Sequence, residues 1–262
     1  APSAYDPAVS PQTAKDRWAR VLQFMAEDGY ITEQERSAAV FPTTVEDTQT
    51  ETYGGSNGYL LQMVRAELRD SAKLTDDQID AGGYQIVTTI SKEDQDAAVA
   101  AVKALPSGYS SNLKVALVSM DATNGGILAL YGGSDFLTNQ VNSATSAIAQ
   151  AGSTYKPFAL VAALENGATL ANTFDGSSPQ TIDGTQFQNF QNVSYGMVNL
   201  VRATQDSINT AYLHLNDAVG PEKTNDVAVR AGYPQDTQGM NTYLQNVLGS
   251  ASPHTLDIAT AY

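Results

Sequence analysis

Ser153 and Lys156 stand three residues apart in Gly152-Ser153-Thr154-Tyr155-Lys156-Pro157-Phe158, a hydroxyl and an amine at the spacing that shares one face of a helix. Serine is a weak nucleophile until a base removes its proton, and a neutral lysine amine within reach can do so. Pro157 predicts that the helix begins here, since proline is tolerated in the first turn and is costly further in. Phe158, Val161, Ala162 and Leu164 then recur at helical spacing up to a stop at Gly167. Ser153 is thereby expected at a helix N-terminus, where free N–H groups and the helix dipole favour the negative charge formed when serine attacks a carbonyl. Local spacing alone reads equally as a helix-capping serine followed by a solvated lysine.

The chain repeats the S-x-x-K spacing at Ser111 and Lys114, in a different context. The run from Lys114 to Met120 is β-rich, and on a strand residues three apart point to opposite faces, so no such pair is expected there. Further on, Asp206-Ser207-Ile208-Asn209 precedes Ala211, Tyr212 and Leu215 on a helical face that ends at Gly220-Pro221. Ser207 and Asn209 can face one cleft only from an extended stretch leading into that helix. The alternative is N-capping by Asp206 or Ser207. Ser110 and Asn112 repeat this spacing too.

Other chemistries find little support. The 262 residues carry 28 acidic and 14 basic side chains, a net charge of −14, with no clustered Lys or Arg to neutralise phosphates, so no nucleic-acid partner is expected. The absence of cysteine excludes disulfides, thiolate zinc sites and a cysteine nucleophile. Only His214 and His254 are present, without H-E-x-x-H or G-x-S-x-G, so no metal site and no serine-histidine-aspartate triad is expected. His214 falls in a helical stretch as a packed or solvated residue. Neither a nucleotide-binding pattern nor an apolar run of membrane-spanning length is visible. A start at Ala1 and a stop inside the helical pattern of residues 256–262 predict a piece of a longer protein.

The positioning elements follow from periodicity. Trp18, Val21, Leu22 and Met25 mark a helical face ended near Gly29, and Thr32-Glu33-Gln34-Glu35 has capping-box spacing for a second helix. Residues 42–58 read as a linker or exposed loop. A helix is expected over 59–68, a β-prone run over 84–90, and an Ala-rich helix capped by Ser91 that continues to about Leu105. Residues 115–120 and 127–131 predict a hairpin turned by Asn124-Gly125, and 179–193 reads as a Gln/Asn-rich surface loop.

Taken together these segments resemble the transpeptidase domain of a bifunctional, class A penicillin-binding protein. Residues 151–158 match the S-x-x-K block beyond its two key residues. Leu200-Val201-Arg202-Ala203 leading into Ser207-Ile208-Asn209-Thr210-Ala211-Tyr212 matches the S-x-N block, 54 residues after Ser153. Residues 127–133 resemble the strand before the nucleophile helix, and residues 6–39 resemble the tail of the preceding glycosyltransferase domain. The third motif, K-T-G, is missing, and Glu222-Lys223-Thr224-Asn225 has no glycine to replace it. Residues 252–262 resemble the helix upstream of that motif.

The resemblance implies an α+β fold of the penicillin-binding and serine β-lactamase type: an antiparallel sheet flanked by helices, here with an all-helical N-terminal remnant. The Ser153 helix is expected to pack against the sheet that includes the 115–131 hairpin. Residues 1–41 are then the glycosyltransferase tail, 42–105 the region leading into the next domain, and 106–262 the N-terminal part of the transpeptidase domain. The implied activity is D,D-transpeptidation or carboxypeptidation of D-Ala-D-Ala stem peptides of peptidoglycan through an acyl-serine, with β-lactams acylating the same serine. Ser153 is the nucleophile, Lys156 its base, Ser207 a proton relay and Asn209 the holder of the substrate amide; no metal or organic cofactor is needed. The remaining C-terminal part of the domain is an expected partner, without which this stretch is expected to be inactive. The implied site of action is the extracytoplasmic face of the bacterial cell membrane, anchored by a segment absent from this chain. A serine β-lactamase and a noncatalytic β-lactam sensor or cell-wall binding module are the alternatives; Ile208 in the middle of S-x-N and the glycosyltransferase-like tail speak against the first.

Overall fold

A computed structural model describes residues 2–44, 52–106, 108–110 and 112–262, with side-chain exposure from residue 4 onward. Ser111, and with it the second S-x-x-K pair, lies outside the described residues. The chain divides into two compact units, Ala1–Thr52 and Tyr53–Tyr262.

The first unit is helical. Helix α1 (Pro11–Glu27) starts on a proline and gives way at Gly29, whose φ of +77° few other residues tolerate. Helix α2 (Glu33–Ala38) carries the expected capping box: the Thr32 hydroxyl accepts from the Glu35 N–H and the Glu35 carboxylate accepts from the Thr32 N–H. Trp18 meets Phe41 edge to face at 5.6 Å. Val21, read from sequence as part of the inner face, is exposed, and among the residues with described exposure Ala14 is the unit's single buried residue.

The second unit begins with α3 (Asn57–Asp70) and α4 (Asp76–Ala81), the latter a helix that periodicity did not suggest. Of residues 42–58, read as linker or exposed loop, 45–51 lie outside the described residues; at the far end Gly55 N–H donates to Asp135 Oδ1, and Gly58, already in α3, is buried with Tyr59 against Phe136. Helix α5 (Lys92–Lys103) is capped by Ser91 as expected. It lies against a hairpin of β1 (Leu117–Met120) and β2 (Ile127–Tyr131), antiparallel with a register shift between Ser119 and Met120. Buried Gln95 of α5 satisfies both main-chain groups of Leu130, donating to its oxygen at 2.9 Å and accepting from its N–H at 2.8 Å. That side chain stands in for a neighbouring strand along this part of β2.

Residues 84–90 form no strand despite their β-branched composition. A strand needs a neighbour, and here only Thr89 Oγ1 reaches across, to the Ile127 oxygen at 2.8 Å. After α6 (Ser143–Ser146), a 3₁₀ turn (Gly152–Tyr155) runs into α7 (Lys156–Glu165). The regular helix therefore starts at Lys156, and Ser153 sits in the tighter turn before it.

Helix α7 buries Phe158, Ala159, Ala162 and Ala163, while Val161 and Leu164, read from sequence as part of the same face, are exposed. Ala159 and Ala163 face one core cluster with Leu200, Ile208, Ala211, Tyr212, Leu215 and Val247; Phe158 and Ala162 face a second with Tyr155, Val227, Ala228 and Tyr233. The expected packing of this helix on the hairpin is replaced by packing on α9 (Asn209–Val219) and α10 (Pro221–Ala231). Alanine at three fully buried positions of α7 lets its neighbours approach closely. The hairpin is covered instead by α5, α6 and α11 (Thr255–Ala261).

Two further antiparallel pairs flank α9: β3 (Thr173–Asp175) with β6 (Met197–Asn199), and β4 (Gln180–Ile182) with β5 (Thr185–Phe187). The second corrects the reading of 179–193 as loop. Asp183 and Gly184, at φ +49° and +76°, form its two-residue turn. The short helix α8 (Leu200–Gln205) follows β6 and leads to Ser207. The second unit is thus α+β, with antiparallel pairs set among helices, as the motifs implied.

Candidate active site

Four side chains named from sequence meet at one nitrogen. Lys156 Nζ lies 3.1 Å from Ser153 Oγ, 3.0 Å from Ser207 Oγ, 2.7 Å from the Ser207 carbonyl oxygen and 2.7 Å from Asn209 Oδ1. Ser153 reaches it from the 3₁₀ turn, Lys156 from the first position of α7, Ser207 from the end of α8, and Asn209 from the start of α9.

Lys156 is 3 % exposed, whereas Ser153 and Ser207 are exposed. Burial disfavours the charged ammonium and brings the Lys156 pKa from 10.5 down to about 8. The Tyr212 ring, 5.7 Å from the nitrogen, is the nearest aromatic face. The partner set suits the neutral amine. Two of the four partners, a carbonyl and an amide oxygen, can only accept, and they match its two hydrogens; its one lone pair is left for the proton of one hydroxyl at a time. Ser153 is the second residue of its turn, so its own N–H is one of the helix-start donors without an intrahelical acceptor.

The Ser207 conformation was not legible from the motif. Its φ is +52°, the left-handed region that glycine usually fills, and it follows α8 in the C′ position. Ser207 N–H donates to the Thr204 oxygen and Ile208 N–H to the Ala203 oxygen, the paired bonds of a Schellman motif. Capping by Asp206 or Ser207 does not occur; Ile208 holds the N-cap position of α9 without a side-chain bond.

Asn209 is oriented by a residue that sequence reasoning missed. Its Nδ2 donates to the Gln188 carbonyl oxygen at 3.0 Å, which turns Oδ1 toward Lys156. Gln188 is held in turn by buried Asn189, whose Oδ1 accepts from Thr210 N–H and Oγ1 and whose Nδ2 donates to the Gly176 and Val193 oxygens. The composition of that loop offers no signal for it. His214 takes no part; its Nε2 pairs with Gln180 Oε1 at 2.6 Å.

A groove of about 470 Å³ between α3, residues 86–90 and the hairpin turn is lined by Leu60, Met63, Val64 and Ile127, and contains none of the four residues. Among the described residues no group of three or more His, Cys, Asp or Glu is placed to hold a metal, and no helix is long and apolar enough to cross a membrane.

A serine hydroxyl, a buried amine of lowered proton affinity and a second serine on one nitrogen are the groups that serine-lysine acyl transfer requires. The family model described as penicillin-binding protein transpeptidase domain matches residues 115–259, and the chain belongs to that family. It is 35 % identical over 277 residues to penicillin-binding protein 1A of Mycolicibacterium smegmatis, across 100 % of this chain and 35 % of that protein. It is 35 % identical over 282 residues to penicillin-binding protein 1A of Mycobacterium tuberculosis, across 100 % of this chain and 33 % of that protein. The chain thus spans about a third of the length of these curated relatives. The structure of PonA1 from Mycobacterium tuberculosis in complex with penicillin V superposes with a TM-score of 0.72 at 33 % identity, covering 79 % of this chain and 58 % of that one. Penicillin-binding protein 1A from Haemophilus influenzae, 21 % identical with a TM-score of 0.60 over 100 % of this chain and 53 % of that one, shares the fold. The resemblance to class A penicillin-binding proteins read from the motifs is borne out.

Proposed function

We propose that this chain is the part of a peptidoglycan D,D-transpeptidase that carries the nucleophile, with Ser153 as the acylated residue. The observation that carries the proposal is the 3.1 Å approach of Ser153 Oγ to an amine that burial has brought near pKa 8. Neutral Lys156 takes the Ser153 proton as Oγ bonds to the carbonyl carbon of the penultimate D-alanine of a stem peptide. The Ser153 N–H donates to the developing oxyanion. As the C–N bond breaks, the proton on Lys156 passes through the Ser207 hydroxyl to the departing D-alanine nitrogen. An acceptor amine then attacks the acyl-serine, its proton returning by the same route, and Ser153 is restored. Asn209, with one amide hydrogen still free, holds the substrate amide while fixing Lys156.

In this reading residues 1–41 are the tail of a glycosyltransferase domain, 42–105 lead into the transpeptidase domain, and 106–262 are its N-terminal part. The rest of the domain supplies the K-T-G strand, and the whole protein works on stem peptides at the extracytoplasmic face of the membrane. β-Lactams acylate Ser153 by the same steps; their leaving nitrogen stays tethered and the ester persists. The test is stoichiometry in the full-length protein. A chromogenic cephalosporin should be opened once per molecule and then retained. Continuing turnover would make the protein a β-lactamase, and no opening at all would make it a binding module.

A further inference from the structure

The segment leading into Ser153 runs along residues 249–254. Ala151 N–H donates to the Ala251 oxygen at 2.8 Å, Gly152 N–H to the Gly249 oxygen at 3.2 Å, and Ile148 pairs with His254 in an antiparallel bridge. On the other side of the turn the Tyr262 hydroxyl donates to the Thr154 oxygen at 2.6 Å. Gly249 is the point of closest approach. It adopts φ +81°, and a Cβ placed on it would overlap the backbone N, Cα and O of Gly152, the residue before Ser153. Only glycine meets both demands.

The segment on which Gly249 stands is itself anchored. Residues 244–248 form a 3₁₀ turn whose Asn246 is 2 % exposed. Asn246 Oδ1 accepts from Asn216 Nδ2 at 2.8 Å, and the two hydrogens of its Nδ2 are shared among the oxygens of Pro221 and Asn241 and Asn225 Oδ1, all within 3.0 Å. Asn216 also donates to the Leu244 oxygen at 2.7 Å and accepts from Thr224 Oγ1 at 2.6 Å. The network returns to the nucleophile turn, because Asn225 Oδ1 accepts from the Tyr155 hydroxyl at 2.8 Å. A satisfied buried polar network of this kind is rigid and has one geometry.

We infer that residues 244–262 are a brace that fixes the Ser153 turn against Lys156, with Gly249 as its positioning residue. The inference rests on the acyl-serine reading above. The brace touches neither reacting atom. It sets the peptide plane of Gly152, and with it the direction of the Ser153 side chain and N–H. A misplacement of about 1 Å at such a group lowers a rate by roughly 100-fold. Its signature is a loss in the chemical step without a loss in initial binding.

The experiment uses the full-length protein and benzylpenicillin, separating the pre-acylation binding constant from the acylation rate constant, alongside amide hydrogen exchange over residues 148–156. Gly249→Ala should lower the acylation rate constant by about 100-fold, leave binding unchanged and speed exchange at Ala151 and Gly152. Tyr262→Phe, which removes one hydrogen bond and no volume from the core, should lower the rate constant about fivefold. A Gly249→Ala protein with wild-type acylation and exchange overturns the inference. Equal losses in binding and in the rate constant overturn it too, since they describe general loosening. If Gly249→Ala does not fold, Tyr262→Phe decides by the same criteria. A wild-type protein that takes no penicillin refutes the acyl-serine reading instead, and exchange over 148–156 then decides the brace.

Discussion

Ser207 presents both its carbonyl oxygen, at 2.7 Å, and its hydroxyl, at 3.0 Å, to the Lys156 amine. Both groups can point the same way because the residue is left-handed at φ +52°. Ser207→Gly separates the two contributions. Glycine adopts this backbone freely, so the carbonyl should stay on Lys156 and stability should rise by about 1 kcal/mol as strain is relieved. The hydroxyl is lost, and with it the proton path, so acylation should slow by about 100-fold. Thermal melts and penicillin-acylation rates of the same variant check both halves. Unchanged acylation would remove Ser207 from the proton path.

Acylation should follow the protonation of Lys156. The reactive form is the neutral amine, so the acylation rate constant should rise with pH through about 8 and level off above it. Lys156→Arg keeps the charge and cannot release a proton in this range, so it should abolish acylation at every pH. The linked effect on stability has a definite sign. The folded-state pKa of Lys156 lies below the unfolded value of 10.5, so its contribution to stability grows as pH rises from about 8 and is absent below.

The serine-lysine pair was legible because its geometry is local: three residues, one turn, one proline to mark the start. The S-x-N residues were legible only through the resemblance to a family, since nothing in residues 206–209 says that they stand beside residue 156. The Gln188 carbonyl on Asn209 and the Gly249–Gly152 approach were not legible, because each joins segments distant in sequence; the left-handed Ser207 is local, but the glycine that usually marks such a helix end is absent. Residues 84–90 misled for the related reason that β-branched composition makes no strand without a neighbour. The β4–β5 hairpin did carry a local signal, Asp183-Gly184 between two three-residue strands, and the surrounding Gln and Asn residues hid it.

Asn189 should be a stability hot point as well as a support for the site. Its side chain bonds to Thr210 and Gly176, both buried, and to the exposed Val193. Asn189→Leu leaves the buried Thr210 N–H and hydroxyl without this partner, while the Gly176 oxygen keeps the Tyr195 N–H, and should destabilise the folded state by about 2 kcal/mol. Denaturant melts of the full-length protein measure this. A change under about 0.5 kcal/mol would mean that water replaces the amide and the network is incidental.

Gln95 gives a matching test in the hairpin. Gln95→Leu keeps volume but strips the Leu130 N–H and oxygen of their partners, and should cost about 2 kcal/mol. Gln95→Glu restores the acceptor alone and should recover less than half of the loss. Melting curves of the two variants rank them, and a leucine variant as stable as wild type would show that this stretch of β2 finds another partner.

The central claim is that Ser153 is the acylated residue. The direct measurement is mass spectrometry of the full-length protein after benzylpenicillin, first intact and then as proteolytic peptides. One added penicillin mass should appear, confined to the peptide that contains Ser153, and Ser153→Ala should carry none. An adduct mapped to Ser207 or Ser111, or an adduct that persists in Ser153→Ala, would contradict the account.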